Sequence, residues 1–218
     1  MNNTDVHYLE FDSELPSLEE ISDALDKKCI RNTINTVNWE RFPYMPEVEF
    51  SIGYTSREFL IKYFITEWFF KAEKTDSTEN VFEDSCVELF ILPDDSTTYF
   101  NFEFNGIGTC LAAAGSNRFN RTLLDKNVIK TIRRKGSAGG QPVAEVKMEY
   151  SWTIVAAIPF RIFFGNVRPD FKNLKMKANF YKCGDRLTVP HYLTWNPVNT
   201  GKPDFHRPEY FGTLRFIG

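Results

Sequence analysis

The sequence predicts an all-β fold, an antiparallel β-sandwich with one short N-terminal helix, on three observations. Apolar and polar residues alternate over most of the chain after residue 28. Aromatic residues make up 16% of the 218, and the 21 Phe outnumber the 12 Gly, a balance that suits broad packed sheet faces. Turn residues separate the apolar runs, and little helical periodicity follows the first helix, so βαβ units are not expected. The length fits a single domain, 1–218, in which 1–37 form an N-terminal extension.

The helix is expected over about 17–28. Ser17 caps it, Glu20 completes a capping box, and Leu18, Ile21, Ala24 and Leu25 share one face. Lys27 and Lys28 suit the negative end of its dipole. Val48, Phe50, Ile52 and Tyr54 alternate with Glu47, Glu49 and Ser51 as a half-buried strand. From Phe59 to Ala72 both parities are apolar, with Phe59, Ile61, Tyr63 and Ile65 against Leu60, Phe64 and Trp68, as in a long strand covered on both faces. Cys86 to Leu92 is similar and stops at Pro93. Tyr99 to Asn105 sets Phe100, Phe102 and Phe104 on one face and Asn101, Glu103 and Asn105 on the other. Val146, Met148, Tyr150, Trp152 and Ile154 form a further apolar face, Leu174, Met176, Ala178 and Phe180 another, and Leu214 with Phe216 closes the chain. Between strands, Gly136 to Pro142 reads as a hairpin loop and the preceding Lys130, Arg133, Arg134 and Lys135 as a solvated strand end.

Composition narrows the function. Lys plus Arg is 26 and Asp plus Glu 29, a net charge of −3, which gives no support to a nucleic-acid or anionic-membrane partner. No run approaches the roughly 18 apolar residues of a membrane span, so no membrane insertion is expected. Met1 to Phe11 carries no export signal; cytoplasm is the default compartment, and periplasm or the extracellular space applies if a leader was removed. The cysteines, Cys29, Cys86, Cys110 and Cys183, form no Cys-x-x-Cys pair, and Cys86 and Cys110 read as small buried hydrophobes. Nucleophile-elbow, phosphate-loop and dinucleotide motifs are missing; Gly106-Ile107-Gly108 reads as a bend.

Two segments carry a resemblance. One is Phe82-Glu83-Asp84-Ser85-Cys86-Val87-Glu88 with the Phe-rich strand after it. The other is the tail: Tyr181 to Asp185, His191 to Pro197, and Pro203 to Gly212. With Trp39, Trp152 and Ala157-Ile158-Pro159, they make the chain from about residue 38 to 216 resemble the family 9 carbohydrate-binding modules, in their free-standing family 9-like branch. The resemblance implies a jelly-roll or immunoglobulin-like sandwich that binds a mono- or oligosaccharide without cleaving it, linked to polysaccharide catabolism. It also implies a sugar held between two aromatic rings, with carboxylate, amide and guanidinium groups on its hydroxyls. The family's Trp six residues before the core Glu is here Phe82, before Glu88; Trp195 is the candidate second ring, a core plug being its other reading.

The residues support this chemistry directly. A pyranose presents apolar C–H faces and a rim of hydroxyls, so its site needs flat aromatics and planar polar groups. Asn101, Glu103 and Asn105 share a strand face, Arg118 and Arg121 follow in a polar loop, and Asn196 adjoins Trp195. Two other readings stay open. Glu88 and Glu103 can form the carboxylate pair of a glycoside hydrolase, which requires both to be accessible on one face. A haem-binding electron-transfer sandwich would draw axial ligands from Met45, Met148 or Met176 and His191 or His206. No cofactor is expected; structural calcium is the possible exception, with Asp94-Asp95 and Asp204 offering oxygens.

Overall fold

In the computed structural model, which describes residues 1–94, 96–167, 169–171 and 174–218, the chain is mostly β. Its elements run β1 (Asn3–Tyr8), α1 (Leu18–Lys28), β2 (Asn32–Thr33), β3 (Thr36–Val37), β4 (Glu47–Tyr54), β5 (Glu58–Ala72), β6 (Cys86–Pro93), β7 (Tyr99–Asn105), β8 (Cys110–Asn117) and β9 (Asn120–Leu123). They continue with α2 (Lys126–Lys130), β10 (Arg133–Gly136), β11 (Val143–Pro159), α3 (Arg161–Phe164), β12 (Lys175–Cys183), β13 (Tyr192–Thr194) and β14 (Gly212–Ile217).

Helix α1 forms where its cap dictates. Ser17 Oγ accepts from the Glu20 N–H at 3.2 Å, and the Ser17 N–H donates to Glu20 Oε2 at 2.8 Å. Its buried face, Ile21, Ala24 and Leu25, packs on Leu60 of β5 and on Val155 and Ala157 of β11. The two further helical turns, α2 and α3, are only five and four residues long, too short to leave a periodic signal.

The strands hydrogen-bond in the order β10-β11-β5-β4-β1-β14-β12-β6-β7-β8-β9, with β13 alongside β12. All pairs are antiparallel except those of β1, which runs parallel to both β14 and β4. The fold is therefore not purely antiparallel, contrary to the expectation, and β1-α1-β4 links two parallel neighbours through a helix. Parallel neighbours need a long crossover, and α1 with its flanking segments supplies it between β1 and β4.

Alternate residues of both ends of this strand path meet in one core. Phe50 of β4 stacks on Phe180 of β12 with ring centroids 3.8 Å apart, and the Tyr63 hydroxyl of β5 donates to the Glu88 carbonyl of β6 at 2.8 Å. Phe102 and Phe104 enter the same core, as the alternation in β7 requires. Three finer expectations fail. Met148 is 58% exposed, because register shifts in the β11–β5 ladder between Val143/Val146 and Lys147/Tyr150 turn it out of the apolar row. Trp68 on β5 is 52% exposed, since α1 covers only the Leu60 end of that face. The basic cluster is solvated only in part: Lys130 and Lys135 are exposed, the latter pairing with Glu19, whereas Arg133 forks onto Glu58 at 3.2 and 2.6 Å and Arg134 donates to three backbone carbonyls.

A fully buried polar group crosses from β5 to β12. Lys182 Nζ lies 2.9 Å from Glu67 and donates to the Cys183 carbonyl at 3.0 Å and to His191 Nε2 at 2.9 Å. His191 Nε2 therefore accepts, which leaves the ring proton on Nδ1, 3.1 Å from the Val189 carbonyl. Burial, then the Lys182 charge, holds His191 well below the ordinary histidine range and so neutral.

Candidate functional site

The outer face of β12-β6-β7-β8 is where polar chemistry collects. Register sets it out as a grid: Glu88 lies opposite Glu103 on β7 and Tyr181 on β12, while Cys86 lies opposite Asn105 and Cys183. The loop Val198 to Phe211 and the 3-10 turn Val81–Glu83 fold over this face and pack on Phe90, Tyr99 and Tyr181. The sheet face is thus roofed, leaving a cleft of about 100 Å³.

Five of the residues expected from the sequence line that cleft: Phe82, Glu88, Glu103, Arg118 and Arg121. The structure adds Asp185, Asp204, Phe205 and His206 from the tail loops and Tyr192 from β13. Arg121 lies 3.7 Å from Glu103 on the floor, and Arg118 lies 3.6 Å from Asp204 at the rim. Aromatic carbon comes from Phe82, Tyr192 and Phe205, with Phe205 itself backed by Tyr181 in a stack of 4.1 Å.

The other four expected residues are elsewhere. Trp195 is 5% exposed in the main core, edge-on to Phe180 and Phe50 at 5.3 and 6.0 Å, so it is the core plug and not a sugar ring. Asn196 beside it accepts from the Asn2 N–H at 2.7 Å and anchors the N-terminus. Asn105 donates to the Lys74 carbonyl and to Asp84 and accepts from the Thr109 N–H, which fixes the loop before β6. Asn101 is fully buried and reaches the cleft only through Glu103, to which its amide donates at 3.1 Å. The expected open polar face of β7 is therefore a buried one, because the tail loops cover it.

The floor is short of partners. Among the described residues, Glu103 Oε2 and Arg121 Nη1 are buried without a hydrogen bond, as is Asn101 Oδ1. Burial pushes Glu103 up to about 7, against the pull of Arg121, and pushes Glu88 well above the carboxylate range. Asp185 is raised to about 6, again chiefly by burial. Burial, with Arg121 and Arg118 adding to it, drives His206 down to about 3, so the ring beside the Tyr99 hydroxyl (2.8 Å from Nδ1) is neutral.

His206 gives a testable pH dependence. Its folded value lies below the 6.5 of an unperturbed ring, so the unfolded chain takes up a proton that the folded one refuses. The associated stability is complete above pH 6.5 and is lost progressively as pH falls toward 3. Relative to His206→Gln, the wild type is expected to lose about 1.4 kcal/mol per pH unit from about pH 6.5 to 4.5 in urea unfolding.

A larger hollow of about 700 Å³ lies over the opposite end of the strand path, lined by Arg31, Phe64, Thr66 and Ser151 among others. These three polar side chains already have partners. Arg31 covers the Phe64 ring at 3.8 Å and pairs with Glu49 at 3.1 Å, and Thr66 bonds Ser151 at 2.9 Å. Size therefore does not mark the site; unpartnered polarity does.

The expected calcium oxygens fare unevenly. Asp204 is committed to Arg118 and to the His206 N–H, whereas Asp95 lies outside the described residues. The haem ligands are not assembled either: Met176 is core, and both histidines have the hydrogen-bond partners given above.

Comparison with known proteins decides the family. The profile of carbohydrate-binding family 9 matches residues 19–216. The chain belongs to carbohydrate-binding family 9. Family 9 is a non-catalytic binding family. A Bacteroides uniformis protein proposed to bind carbohydrate is 36% identical, superposes with a TM-score of 0.93, and each chain covers 99% of the other. A family 9 module from Caldicellulosiruptor kristjanssonii, solved with cellotriose and with glucose, shares the fold at a TM-score of 0.59 and 11% identity. All of this chain is covered in both comparisons, with 94% and 96% of the modules. No curated protein matches the sequence. Among the described residues, no helix is long and apolar enough to cross a membrane.

Proposed function

We propose that this family 9 β-sandwich binds carbohydrate without cleaving it, that it holds one sugar ring at a chain end in the roofed cleft, and that it serves polysaccharide catabolism carried out by other proteins. The observation that carries the reading is the pair of orphaned groups on the floor, Glu103 Oε2 and Arg121 Nη1. A hydroxyl is donor and acceptor at once, so a sugar rim satisfies both, while Phe82, Tyr192 and Phe205 offer carbon to its C–H faces. The solved relatives with cellotriose and glucose support the ligand class. The cleft, about 100 Å³, suits one ring rather than several.

Hydrolysis by Glu88 and Glu103 is not favoured. The two acids lie side by side on one sheet face and are 3% and 2% exposed, whereas a glycosidase sets its carboxyls on either side of the scissile bond.

The test is calorimetric titration with a panel of monosaccharides and their oligomers. Binding in the millimolar to micromolar range is expected, roughly −4 to −8 kcal/mol. Affinity is expected to stay within about twofold from monomer to tetramer, since only one ring is enclosed. An affinity that climbs tenfold or more with chain length contradicts end binding, and no heat at tens of millimolar sugar contradicts the reading as a whole.

A further inference from the structure

Beneath the cleft floor, next to Glu88, lie two thiols that sugar binding does not use. Cys86 and Cys183 are direct partners across the β6–β12 ladder, and Glu88 stands two residues beyond Cys86, so all three share the outer face. One ligand atom from each lies within 4.8 Å of the others, with Cys183 Sγ 3.1 Å from Glu88 Oε1. All three are buried, and both thiols are free.

The geometry points to a thiophilic divalent-metal site of the zinc type, formed by Cys86, Cys183 and Glu88, with its fourth coordination position open to the cleft. In a tetrahedral zinc centre with Zn–S about 2.3 Å and Zn–O about 2.0 Å, neighbouring ligand atoms stand about 3.5 to 3.8 Å apart. The cluster needs side-chain adjustments of about 1 Å or less to reach that spacing. Two sulfurs and one carboxylate select zinc, cadmium or cobalt(II) over calcium or magnesium, which take oxygen cages. Three protein ligands leave one vacancy, and Glu88 is the member of the set that also lines the cleft, which places the vacancy there. Without a metal, burial keeps both thiols protonated, with Cys86 pushed up to about 12. Binding exchanges the two thiol protons and any proton on Glu88 for the ion, and no redox step is involved.

The test needs no sugar, so its failure is separate from failure of the carbohydrate reading. Reduced, chelator-treated full-length protein is titrated with Co²⁺ and followed by absorption. A thiolate-to-cobalt charge-transfer band that saturates at one equivalent and is displaced by Zn²⁺ is expected. Cys183→Ser and Cys86→Ser should each abolish the two-thiolate band. Glu88→Gln should weaken binding by about tenfold or more while keeping the band. Cys110→Ser serves as the control: its thiol is equally buried but sits in the main core, and its variant should bind like the wild type. Circular dichroism confirms that each variant is folded, and if a cysteine variant is not, the Glu88→Gln result and the band in the wild type decide. A folded wild type with no charge-transfer band overturns the proposal. So does a band that survives in both cysteine variants, or a Cys86–Cys183 disulfide that forms in preference to metal binding when stoichiometric Zn²⁺ is present.

Discussion

Glu103→Gln is expected to remove sugar binding and at the same time to stabilise the fold. Glu103 is buried beside Glu88, its Oε2 has no partner, and burial raises it to about 7. An acid whose folded value exceeds its unfolded one keeps a proton that the unfolded chain gives up, so stability falls as pH rises from 4.5 to about 7. A neutral amide escapes that cost and still offers an oxygen to the Asn101 amide. The expected gain is about 1 to 3 kcal/mol above pH 7, shrinking as pH falls from about 7 to 4.5, read from urea unfolding at several pH values. Affinity is expected to fall about tenfold to a hundredfold, because the carboxylate would make a charge-assisted bond to a sugar hydroxyl, worth roughly 1.5 to 3 kcal/mol. A carboxylate with a purely structural role gives the opposite stability result. The combination of lost binding and gained stability is what a residue kept for its ligand should show.

Lys182→Met should be the most damaging single substitution in the core. It leaves Glu67 as a fully buried charge that keeps the Trp152 indole N–H, at 2.6 Å, and the neutral His191 ring, at 4.0 Å, and it strips His191 Nε2 of its donor. Removing one partner of such a pair costs about 3 to 5 kcal/mol, since the other charge stays buried and uncompensated. The double variant Lys182→Met with Glu67→Gln is expected to recover at least half of that loss in chemical denaturation, because it removes both charges. If the double variant is instead as unstable as the two single losses added together, the pair is not coupled as described.

Much of this scaffold was legible because sheet physics is local. The two-residue alternation in β4 and β7 named Phe50, Phe102 and Phe104 as core, and Ser17 with Glu20 fixed where α1 begins. The parallel placement of β1 was not legible, since nothing within six residues states which distant strands will flank it. Alternation also gave Asn101, Glu103 and Asn105 a common face correctly, but not the loops that roof it. Once roofed, Asn105 becomes a loop anchor, and Glu103 alone of the three lines the cleft. Trp195 shows the same limit: an aromatic next to Asn-Pro reads alike as platform or plug, and its edge-on packing against Phe180 in the core distinguishes them. Asp185, Asp204 and His206 stand in the tail motif, but their convergence on Glu103 and Arg121 depends on how the tail folds back over the sheet, which no local pattern states.

Amide chemical-shift mapping during a glucose titration tests the central claim most directly. The account predicts that the shifted resonances cluster at Phe82, Glu88, Glu103, Arg121, Asp185 and Phe205, the walls and floor of the roofed cleft. Shifts confined to Arg31, Phe64, Thr66 and Ser151, which line the larger hollow, would contradict it, as would no shift at all under saturating sugar.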